Sequence, residues 1–350
     1  MAGPNIRDVA RRAGVSTATV ARVLRGGTTV SPELTERVRA AVAELNYVPN
    51  AVARSLSRGR TGLLGLLVAD IANPFYGEVA RGLEDVAAGH GYQVLVGSSD
   101  LRPERERRVL ASLESRTVDG VALTSTATDP RQLWRLRDAG MPLVFIDRRP
   151  TGVPGPAVVT DNAAAAQRAV RHLTELGHTD LAMISGPTTM QTAAQRVEGF
   201  RKACLQEGLD VRAECVLEGY LGTEGGRDAT RAVLAARPRP TALLSFNNLL
   251  AVGALGALRA ARVRVPDEMS LLTFDDMLLF PYVEPPITAI AQPAYEMGAA
   301  AGRLLLQEMG VIPGGEGDPA GDDVATELVL PTELRVRASC APPAGRPAAG

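Results

Sequence analysis

Four residues near the start of the chain have side chains suited to binding a charged, hydrogen-bonding surface. Ser16, Thr17 and Ala18 offer small hydroxyl and methyl groups, and Arg22 follows one helical turn later on the same face as Ala18. A guanidinium group suits the recognition of phosphates and of base edges. These residue types at this spacing favour contact with nucleic acid.

Two short helices joined by a tight turn would position these side chains. Apolar residues recur at helical spacing over residues 6–13, Gly14 interrupts the pattern, and a second apolar period covers residues 20–24. Ser16 is a candidate N-cap because its hydroxyl can accept a hydrogen bond from an amide of the next turn. Such a pair predicts a helix-turn-helix, in which the N-terminal residues of the second helix enter the DNA major groove.

The charge distribution supports this interpretation. Residues 1–60 contain ten Arg and four Asp or Glu, a net charge of +6, whereas the whole chain carries −1, so residues 61–350 carry −7. Phosphate binding needs a basic segment of this kind. The alternative, a helical hairpin that only packs, does not account for the charge.

The first 61 residues divide into a small domain and a connecting segment. A third helix that starts after Ser31 can close a three-helix core, so we predict a DNA-binding domain over residues 1–48. Residues 49–61 carry apolar residues on one face of a helix too short to form alone, since isolated helices under about 12 residues are marginal. We expect this hinge segment to fold only against DNA or a partner, with Leu56 as a wedge between base pairs in the minor groove. The alternative is a plain interdomain linker.

The remainder of the chain, which is long enough for more than one compact unit, alternates strands and helices. Unbroken runs of Val, Leu and Ile are typical of buried parallel strands. The alternation begins afresh at residue 161, which predicts two doubly wound α/β lobes with a ligand crevice at the carboxyl ends of their strands. We assign residues 62–160 and 291–322 to the first lobe and residues 161–290 and 323–337 to the second, and expect a disordered tail at 338–350.

Signatures of catalysis are absent from the sequence. No Gly-Lys pair of a P-loop, no GxGxxG turn and no GxSxG elbow occurs. We expect His90, His172 and His178 at helix ends or surface turns in structural roles. Asp275 and Asp276 have no His or third carboxylate beside them in sequence. We therefore predict no enzyme activity, no catalytic residue, no metal site and no cofactor.

Composition also bears on where the protein acts. The N-terminus lacks an apolar run of the signal-peptide type, and the apolar stretch at residues 63–69 is too short to cross a bilayer. Cys204, Cys215 and Cys340 have neither metal-ligand spacing nor a disulfide framework. We expect a cytoplasmic protein without a membrane partner, associated with the nucleoid when bound to DNA.

The N-terminal strings IRDVARRAGVSTATVARVL and VSPELTERVRAAVAELNYVPNAVARSL resemble the lac repressor/galactose repressor family of bacterial transcription regulators. Matching pieces continue through the body, among them IANPFYGEVARGLED, HLTELGHTDLAMISGP and RVPDEMSLLTFDD, so that the resemblance covers residues 5–337. It implies a helix-turn-helix head on a body similar to a periplasmic sugar-binding protein, made of two doubly wound parallel-sheet lobes.

The resemblance implies specific contacts with DNA. The first residues of the second helix, with Arg22, would read base edges, because Arg pairs with guanine and methyl groups suit thymine. Polar neighbours would bind phosphates, and Ala53 would lie at the contact of two hinge helices. The DNA-binding residues so implied are Ser16, Thr17, Ala18, Thr19, Arg22, Tyr47, Asn50, Ala53 and Leu56.

The resemblance also implies an effector site between the lobes. Aromatic Phe75 offers an apolar face to a sugar ring, and polar side chains can bind adjacent hydroxyl groups. For Asn73 the alternative is a helix cap, and for Arg148 a structural ion pair. The effector-binding residues so implied are Asn73, Phe75, Tyr76, Asp147, Arg148, Arg196, Leu221, Asn247, Asp275 and Gln292.

The function implied is a dimeric repressor that binds a pseudo-palindromic double-stranded operator under control of a sugar or sugar derivative. The chain has Tyr220-Leu221 where many relatives carry an aromatic residue near the third strand of the second lobe, which weakens the case for a sandwiched flat ring such as a purine. One alternative is a catabolite-type regulator controlled by a protein partner or corepressor. Others are a solute-binding protein without a DNA role and an α/β enzyme.

Overall fold

The chain has two compact units, Met1–Gly62 and Leu63–Gly350, which we call the head and the body. None of the described helices is both long and apolar enough to cross a membrane. The computed structural model describes residues 4–24, 30–47, 60–116, 118–126, 130–313 and 327–344.

The head is built from three described helices, α1 (Ile6–Ala13), α2 (Thr17–Leu24) and α3 (Pro32–Glu44). Their apolar faces enclose a small core because the apolar residues recur at helical spacing. The core residues are Val9, Ala10, Ala13, Val20, Val23, Val38, Ala41 and Tyr47.

The turn between α1 and α2 has the geometry that the sequence predicts. Gly14 ends α1 with a φ of 67°, and a Cβ atom there would lie 2.6 Å from Arg37 Nη2. That guanidinium donates a hydrogen bond of 2.7 Å to Ala13 O, which ties α3 to the end of α1. Ser16 Oγ accepts a hydrogen bond from Thr19 N at 3.1 Å and caps α2. The predicted helix-turn-helix is therefore confirmed.

The body alternates strands with helices. Its described helices are α4 (Pro74–Gly89), α5 (Pro103–Ser115), α6 (Arg131–Asp138), α7 (Asn162–Glu175), α8 (Gln191–Gln206), α9 (Gly222–Ala235), α10 (Asn248–Ala260) and α11 (Ala294–Glu308). Its described strands are β1 (Leu63–Val68), β2 (Gln93–Ser98), β3 (Gly120–Leu123), β4 (Leu143–Ile146), β5 (Ala157–Thr160), β6 (Leu181–Ile184), β7 (Val216–Leu217), β8 (Ala242–Ser245), β9 (Ser270–Phe274), β10 (Thr288–Ala291), β11 (Glu327–Leu330) and β12 (Glu333–Arg335).

In the described part of the body these strands form two six-stranded sheets, one in each lobe. The order is β11-β5-β4-β3-β1-β2 in the first lobe and β12-β10-β9-β8-β6-β7 in the second. All pairs are parallel except β10 with β12. Central strands such as β3, β4, β6 and β8 are buried throughout, which explains their unbroken apolar sequences. The predicted pair of α/β lobes is confirmed.

Two glycines bring α4 and α11 into close contact beside the first sheet. A Cβ atom at Gly298 would lie 1.9 Å from Val79 O, and one at Gly82 would lie 2.0 Å from Tyr295 O. No side chain larger than hydrogen fits at either position. This contact positions the first turn of α4, which lies at the cleft between the lobes.

One predicted lobe boundary is wrong. The sequence predicts that residues 323–337 belong to the second lobe, but β11 pairs in parallel with β5 of the first sheet, and of the two strands in this range β12 alone joins the second sheet. The chain therefore also crosses between the lobes at residues 331–332. β11 is an edge strand with three of its four residues exposed, so its apolar pattern carries no information about which sheet it completes. The second sheet also extends to Ala291, one residue beyond the predicted boundary.

The predicted disorder of residues 338–350 is wrong for residues 338–344, which pack against the second lobe. Residues 345–350 lie outside the described ranges. Ser339 is buried, its carbonyl accepts from Leu271 N at 2.8 Å, and its Oγ accepts from Thr288 N at 2.8 Å. His178, expected at a helix end or surface turn, is buried, and its Nε2 lies 2.9 Å from Ala341 O. Burial lowers the pKa of His178, so the neutral ring links the tail to the second lobe.

Candidate functional site

All ten effector residues implied by the sequence line one cavity between the two lobes. The cavity has a volume of about 70 Å³ and lies at the carboxyl ends of the strands. Parallel strands bring distant parts of the chain to this edge. The ten lining residues are Asn73, Phe75, Tyr76, Asp147, Arg148, Arg196, Leu221, Asn247, Asp275 and Gln292.

Two aspartates approach the cavity from equivalent positions in the two lobes. Asp147 follows β4 and Asp275 follows β9, the fourth strand of each lobe in chain order. Both are buried, and both have positive φ angles, 70° and 62°. A non-glycine residue rarely adopts this backbone conformation, and such residues concentrate at binding sites.

Arg196, on α8 of the second lobe, is fully enclosed and well bonded. Its Nε donates to Asn162 Oδ1 and its Nη1 to Phe246 O, both at 2.7 Å. The guanidinium also lies over two rings, 4.8 Å from the centroid of Phe246 and 4.2 Å from that of Phe274. Burial lowers its pKa, and the nearby Asp275 carboxylate opposes that effect.

Asp275 is held by a hydrogen-bond chain that crosses to the first lobe. Gln292 Nε2 donates to Asp275 Oδ1 at 2.6 Å, and Gln292 Oε1 accepts from Thr160 Oγ1 at 2.7 Å. Burial raises the pKa of Asp275, while Arg196 and the bond from Gln292 lower it in part. The carboxylate therefore depends on its buried partners to remain charged.

The first lobe contributes a looser cluster of Tyr76, Asp147 and Arg148. Tyr76 Oη donates to Asp147 Oδ2 at 3.5 Å, and Arg148 Nη2 donates to Tyr76 Oη at 3.4 Å. Arg148 Nε lies 3.6 Å from Asp147 Oδ2, too far for a hydrogen bond. Burial, then the Asp147 charge, raises the pKa of Tyr76. The ion pair expected as the alternative role of Arg148 is present, but it is weakly bonded.

Asparagine side chains both cap helices and join the lobes. Asn73 Oδ1 accepts from Phe75 N at 3.1 Å, which is the helix cap expected as the alternative role of Asn73. It also accepts from Asn248 Nδ2 of the second lobe at 2.9 Å. Asn247 caps α10 by accepting from Leu250 N at 2.9 Å. Capping and cavity lining therefore coincide at Asn73 and Asn247.

Sequence reasoning missed part of the lining. Phe246 directly follows β8, and Asp70 comes two residues after β1, so their positions at strand ends could have identified them. Met190 and Thr192 lie at the start of α8, where no sequence pattern marks them. The missed lining residues are Ala69, Asp70, Leu101, Met190, Thr192, Gly222, Phe246 and Leu249.

The cavity combines carboxylates, amides and guanidinium groups with aromatic rings. Carboxylates accept hydrogen bonds, guanidinium groups donate them, and amides do both, so the set can bind adjacent hydroxyl groups of one ligand. The rings of Phe75 and Tyr76 pack edge to face with centroids 5.0 Å apart and supply apolar surface. Among the described residues no group of three or more His, Cys, Asp or Glu could hold a metal ion. The arrangement is suited to binding a polar small molecule.

In the head, the implied base-reading side chains project from α2. Ser16, Thr17, Ala18 and Arg22 are exposed, and Thr19 is half-buried with its Oγ1 2.9 Å from Ser16 Oγ. The Tyr47 side chain, by contrast, packs in the head core. Its phosphate contact stays a prediction. The other three implied DNA-binding residues, Asn50, Ala53 and Leu56, lie outside the described residues.

Comparison with known families and proteins agrees with both halves of this description. Residues 5–50 match the family of bacterial regulatory proteins called lacI, and residues 170–340 match the periplasmic binding protein-like domain. The chain is 32% identical over 340 residues to the HTH-type transcriptional regulator DegA of Bacillus subtilis, covering 96% of this chain and 98% of that protein. It is 37% identical to the ribose operon repressor of Halalkalibacterium halodurans, covering 87% of this chain and 90% of that protein.

Solved structures give the same result. A complex of the transcriptional regulator CelR with cellobiose aligns with a TM-score of 0.71 and 32% identity, covering 96% of this chain and 99% of that one. The lac repressor dimer bound to operator and the anti-inducer ONPF aligns with a TM-score of 0.83 and 26% identity, covering 97% and 100%. Because the head, the body and the full-length relatives agree, the chain belongs to the lacI family of DNA-binding transcriptional regulators.

Proposed function

We propose that this protein is a repressor that binds a pseudo-palindromic operator as a homodimer and releases it in response to a small sugar-like effector. One observation carries the proposal: ten implied effector residues, from both lobes, line a single cavity. Two relatives support the ligand class by their names, since one is a ribose operon repressor and another was solved with cellobiose. In this account the protein acts in the cytoplasm, on the nucleoid when DNA-bound.

On the DNA side, α2 would lie in the major groove. Arg22 is exposed and free to pair with a guanine edge, and the methyl groups of Thr17 and Ala18 suit thymine. Ser16 and Thr19, together with Tyr47 and Asn50, would contact phosphates and set the register. The hinge segment would bind the minor groove, with Ala53 at the contact between two hinge helices and Leu56 inserted between base pairs.

A dimer accounts for an apolar surface on the second lobe. Leu278, Leu279 and Tyr282 lie close together in sequence and have exposed fractions of 83%, 61% and 81%. Clusters of exposed apolar residues mark interaction surfaces. A second copy placed there by a two-fold axis would present two heads to two half-sites.

The effector would act by shifting the equilibrium between two arrangements of the lobes around the cleft. In the structure the lobes are joined directly, by Asn248 Nδ2 to Asn73 Oδ1 at 2.9 Å and by Arg149 N to Gln191 Oε1 at 2.8 Å. A ligand changes this equilibrium only by its differential affinity for the two states. The resulting movement of the lobes would change how well the hinge segments pair on DNA.

Fluorescence anisotropy with symmetric duplexes selected from a random pool tests the DNA part. We expect tight binding at moderate salt, weakened at least about tenfold in Arg22→Ala because a bidentate base contact is lost. Arg39→Ala, on α3, is the matched control for charge. Leu56→Ala should weaken binding and blunt the effector response. No preference for any symmetric duplex over random competitor, with or without metabolites, would refute the proposal.

The same assay with added sugars tests the effector part. We expect a sugar-dependent loss of binding that Asp275→Asn and Arg196→Ala abolish. If both variants keep the full response, the cleft is not the effector site. If no sugar acts but a phosphorylated protein partner does, the catabolite-type alternative replaces the sugar-controlled repressor.

A further inference from the structure

A second, larger cavity lies beside the effector cavity. This second space has a volume of about 370 Å³, against about 70 Å³ for the cavity described above, and we call them the outer and the inner chamber. Leu101, Arg148, Met190 and Leu221 line both. The outer chamber is therefore adjacent to the inner chamber, and Arg148 and three apolar residues lie at their junction.

The two chambers differ in charge. Asp70, Asp147 and Asp275 line the inner chamber together with Arg148 and Arg196. The charged groups among the described residues that line the outer chamber are Arg148 and Arg149, and its other polar lining groups are hydroxyls and the Gln191 amide. An anion is therefore favoured in the outer chamber and disfavoured among the inner carboxylates.

Nearby acidic groups already have partners. Glu106 is buried and accepts hydrogen bonds from Ser125 Oγ at 2.7 Å and from the Thr126 amide and hydroxyl. Glu327 Oε2 lies 3.9 Å from Arg149 Nη1, at the long limit of an ion pair between partly exposed groups. Screening makes such a pair weak, so Arg149 retains most of its attraction for a ligand anion.

Two of the three guanidinium nitrogens of Arg148 lack a hydrogen-bond acceptor among the described residues, although the Asp147 carboxylate lies 3.6 Å from Nε. Only 7% of the residue is exposed, yet no described residue accepts from its Nε or Nη1, and its hydrogen bond from Nη2 to Tyr76 Oη is long at 3.4 Å. A buried charged donor without an acceptor is costly. An oxyanion beside Arg148 would supply acceptors for Nη2, whose bond to Tyr76 is long, and for one of the two unpartnered nitrogens, because a guanidinium fork pairs Nη2 with either Nε or Nη1.

We propose that the effector is a polyhydroxylated molecule with a terminal oxyanion, a carboxylate or a phosphate, and that Arg148 binds this group at the junction of the two chambers. The hydroxyl groups then face Asp275, Asn247 and Arg196 in the inner chamber. The inference rests on the proposed sugar-like effector and narrows it from neutral sugars to acidic or phosphorylated ones.

Titration calorimetry with the full-length protein tests the proposal at constant ionic strength. The probes are glucose and cellobiose as neutral sugars, gluconate and glucuronate as carboxylates, and glucose 6-phosphate, with acetate and inorganic phosphate as anions alone. We expect at least one acidic sugar to bind about tenfold or more tightly than the neutral sugars, and the anions alone to bind weakly. Comparing the carboxylates with the phosphate identifies which oxyanion is used.

Variants separate ligand binding from structure. Arg148→Gln should weaken the affinity for the acidic sugar about tenfold or more and the affinity for neutral sugars by a clearly smaller factor, with Arg148→Lys intermediate. Arg81→Gln, an exposed residue of α4, should change neither. Equal or tighter binding of neutral sugars, or equal weakening of both classes by Arg148→Gln, overturns this inference and leaves the sugar-controlled repressor standing. If no sugar binds, both this inference and the proposed sugar-controlled repressor are refuted.

Discussion

The two lobes present an arginine and an aspartate to the same cleft, and the two arginines differ in how completely they are bonded. Arg196 donates two hydrogen bonds of 2.7 Å and lies over two aromatic rings. Among the described residues Arg148 makes one long hydrogen bond, and its Nε and Nη1 have no hydrogen-bond partner. Both residues are more than nine-tenths buried, so the difference lies in their partners and not in their access to water.

This contrast shows that burial and charge alone do not identify a ligand-binding residue. Buried donors in proteins are normally satisfied, so an unsatisfied one needs an explanation. Arg196 donates from Nε to Asn162 and from Nη1 to the backbone of Phe246, and these bonds support the wall of the second lobe that the proposed effector would contact. Arg148 keeps two donors that no described residue of its lobe accepts. The following predictions test this division.

The largest effect is expected from Arg196→Met. We expect the free energy of unfolding to fall by about 3 kcal/mol or more, because two buried acceptors lose their donor and Asp275 loses its nearby cation. Urea unfolding followed by circular dichroism measures it. Arg201→Met, whose exposed side chain pairs with Glu218 at 2.9 Å, is the control and should cost less than about 1 kcal/mol. Equal losses in the two variants would contradict the structural role of Arg196.

Arg148→Met should reduce the free energy of unfolding less than Arg196→Met does. We expect a loss of about 1 kcal/mol, because removing two unsatisfied donors offsets part of the lost pairing with Asp147. The same urea titration gives the value. A loss as large as that of Arg196→Met would mean that Arg148 supports its lobe in the same way, and the contrast between the lobes would disappear.

Asn248→Ala tests the direct contact between the lobes. Asn73 Oδ1 keeps its bond from Phe75 N, so we expect a loss of stability of only about 0.5 to 1 kcal/mol. Without effector the cleft should open more readily, seen as a larger radius of gyration in small-angle X-ray scattering. Gln191→Ala, which removes the exposed acceptor of Arg149 N, should increase the radius of gyration less than Asn248→Ala does. An unchanged radius in both variants would show that these bonds do not hold the lobes together.

The smallest effect concerns two adjacent carboxylates with opposite pKa shifts. Burial raises the pKa of Asp275, so its contribution to stability falls as pH rises through the interval from its ordinary pKa to the raised one. At Asp276 burial is outweighed by bonds from Arg337 and Arg335, which lower the pKa. Its contribution is present above the ordinary pKa and is lost as pH falls toward the lowered one.

Unfolding titrations across acidic pH should therefore give slopes of opposite sign for these two sites. Relative to the wild type, Asp275→Asn should gain stability as pH rises, and Asp276→Asn should lose it. The comparison needs no absolute value of either pKa. Slopes of the same sign would show that the two carboxylates share one environment, contrary to their different partners.

Much of the fold follows from local sequence signals. The head was predictable because a cap at Ser16, a glycine with positive φ at Gly14 and the helical apolar period all act within a few residues. The strands of the two lobes were equally clear, since central strands are apolar throughout. The cleft residues came from resemblance to a family, and the strand-end rule could have added Phe246 and Asp70.

The sequence by itself determined the helix-turn-helix, the two α/β lobes and the strand-end positions of most cleft residues. Tertiary structure alone decided that β11 completes the first sheet, that residues 338–344 pack against the second lobe, and that Arg196 is satisfied while Arg148 is not. The physical reason is distance along the chain. Asn162 lies 34 residues from Arg196 and Tyr76 lies 72 from Arg148, so their bonds exist only once the sheets have formed.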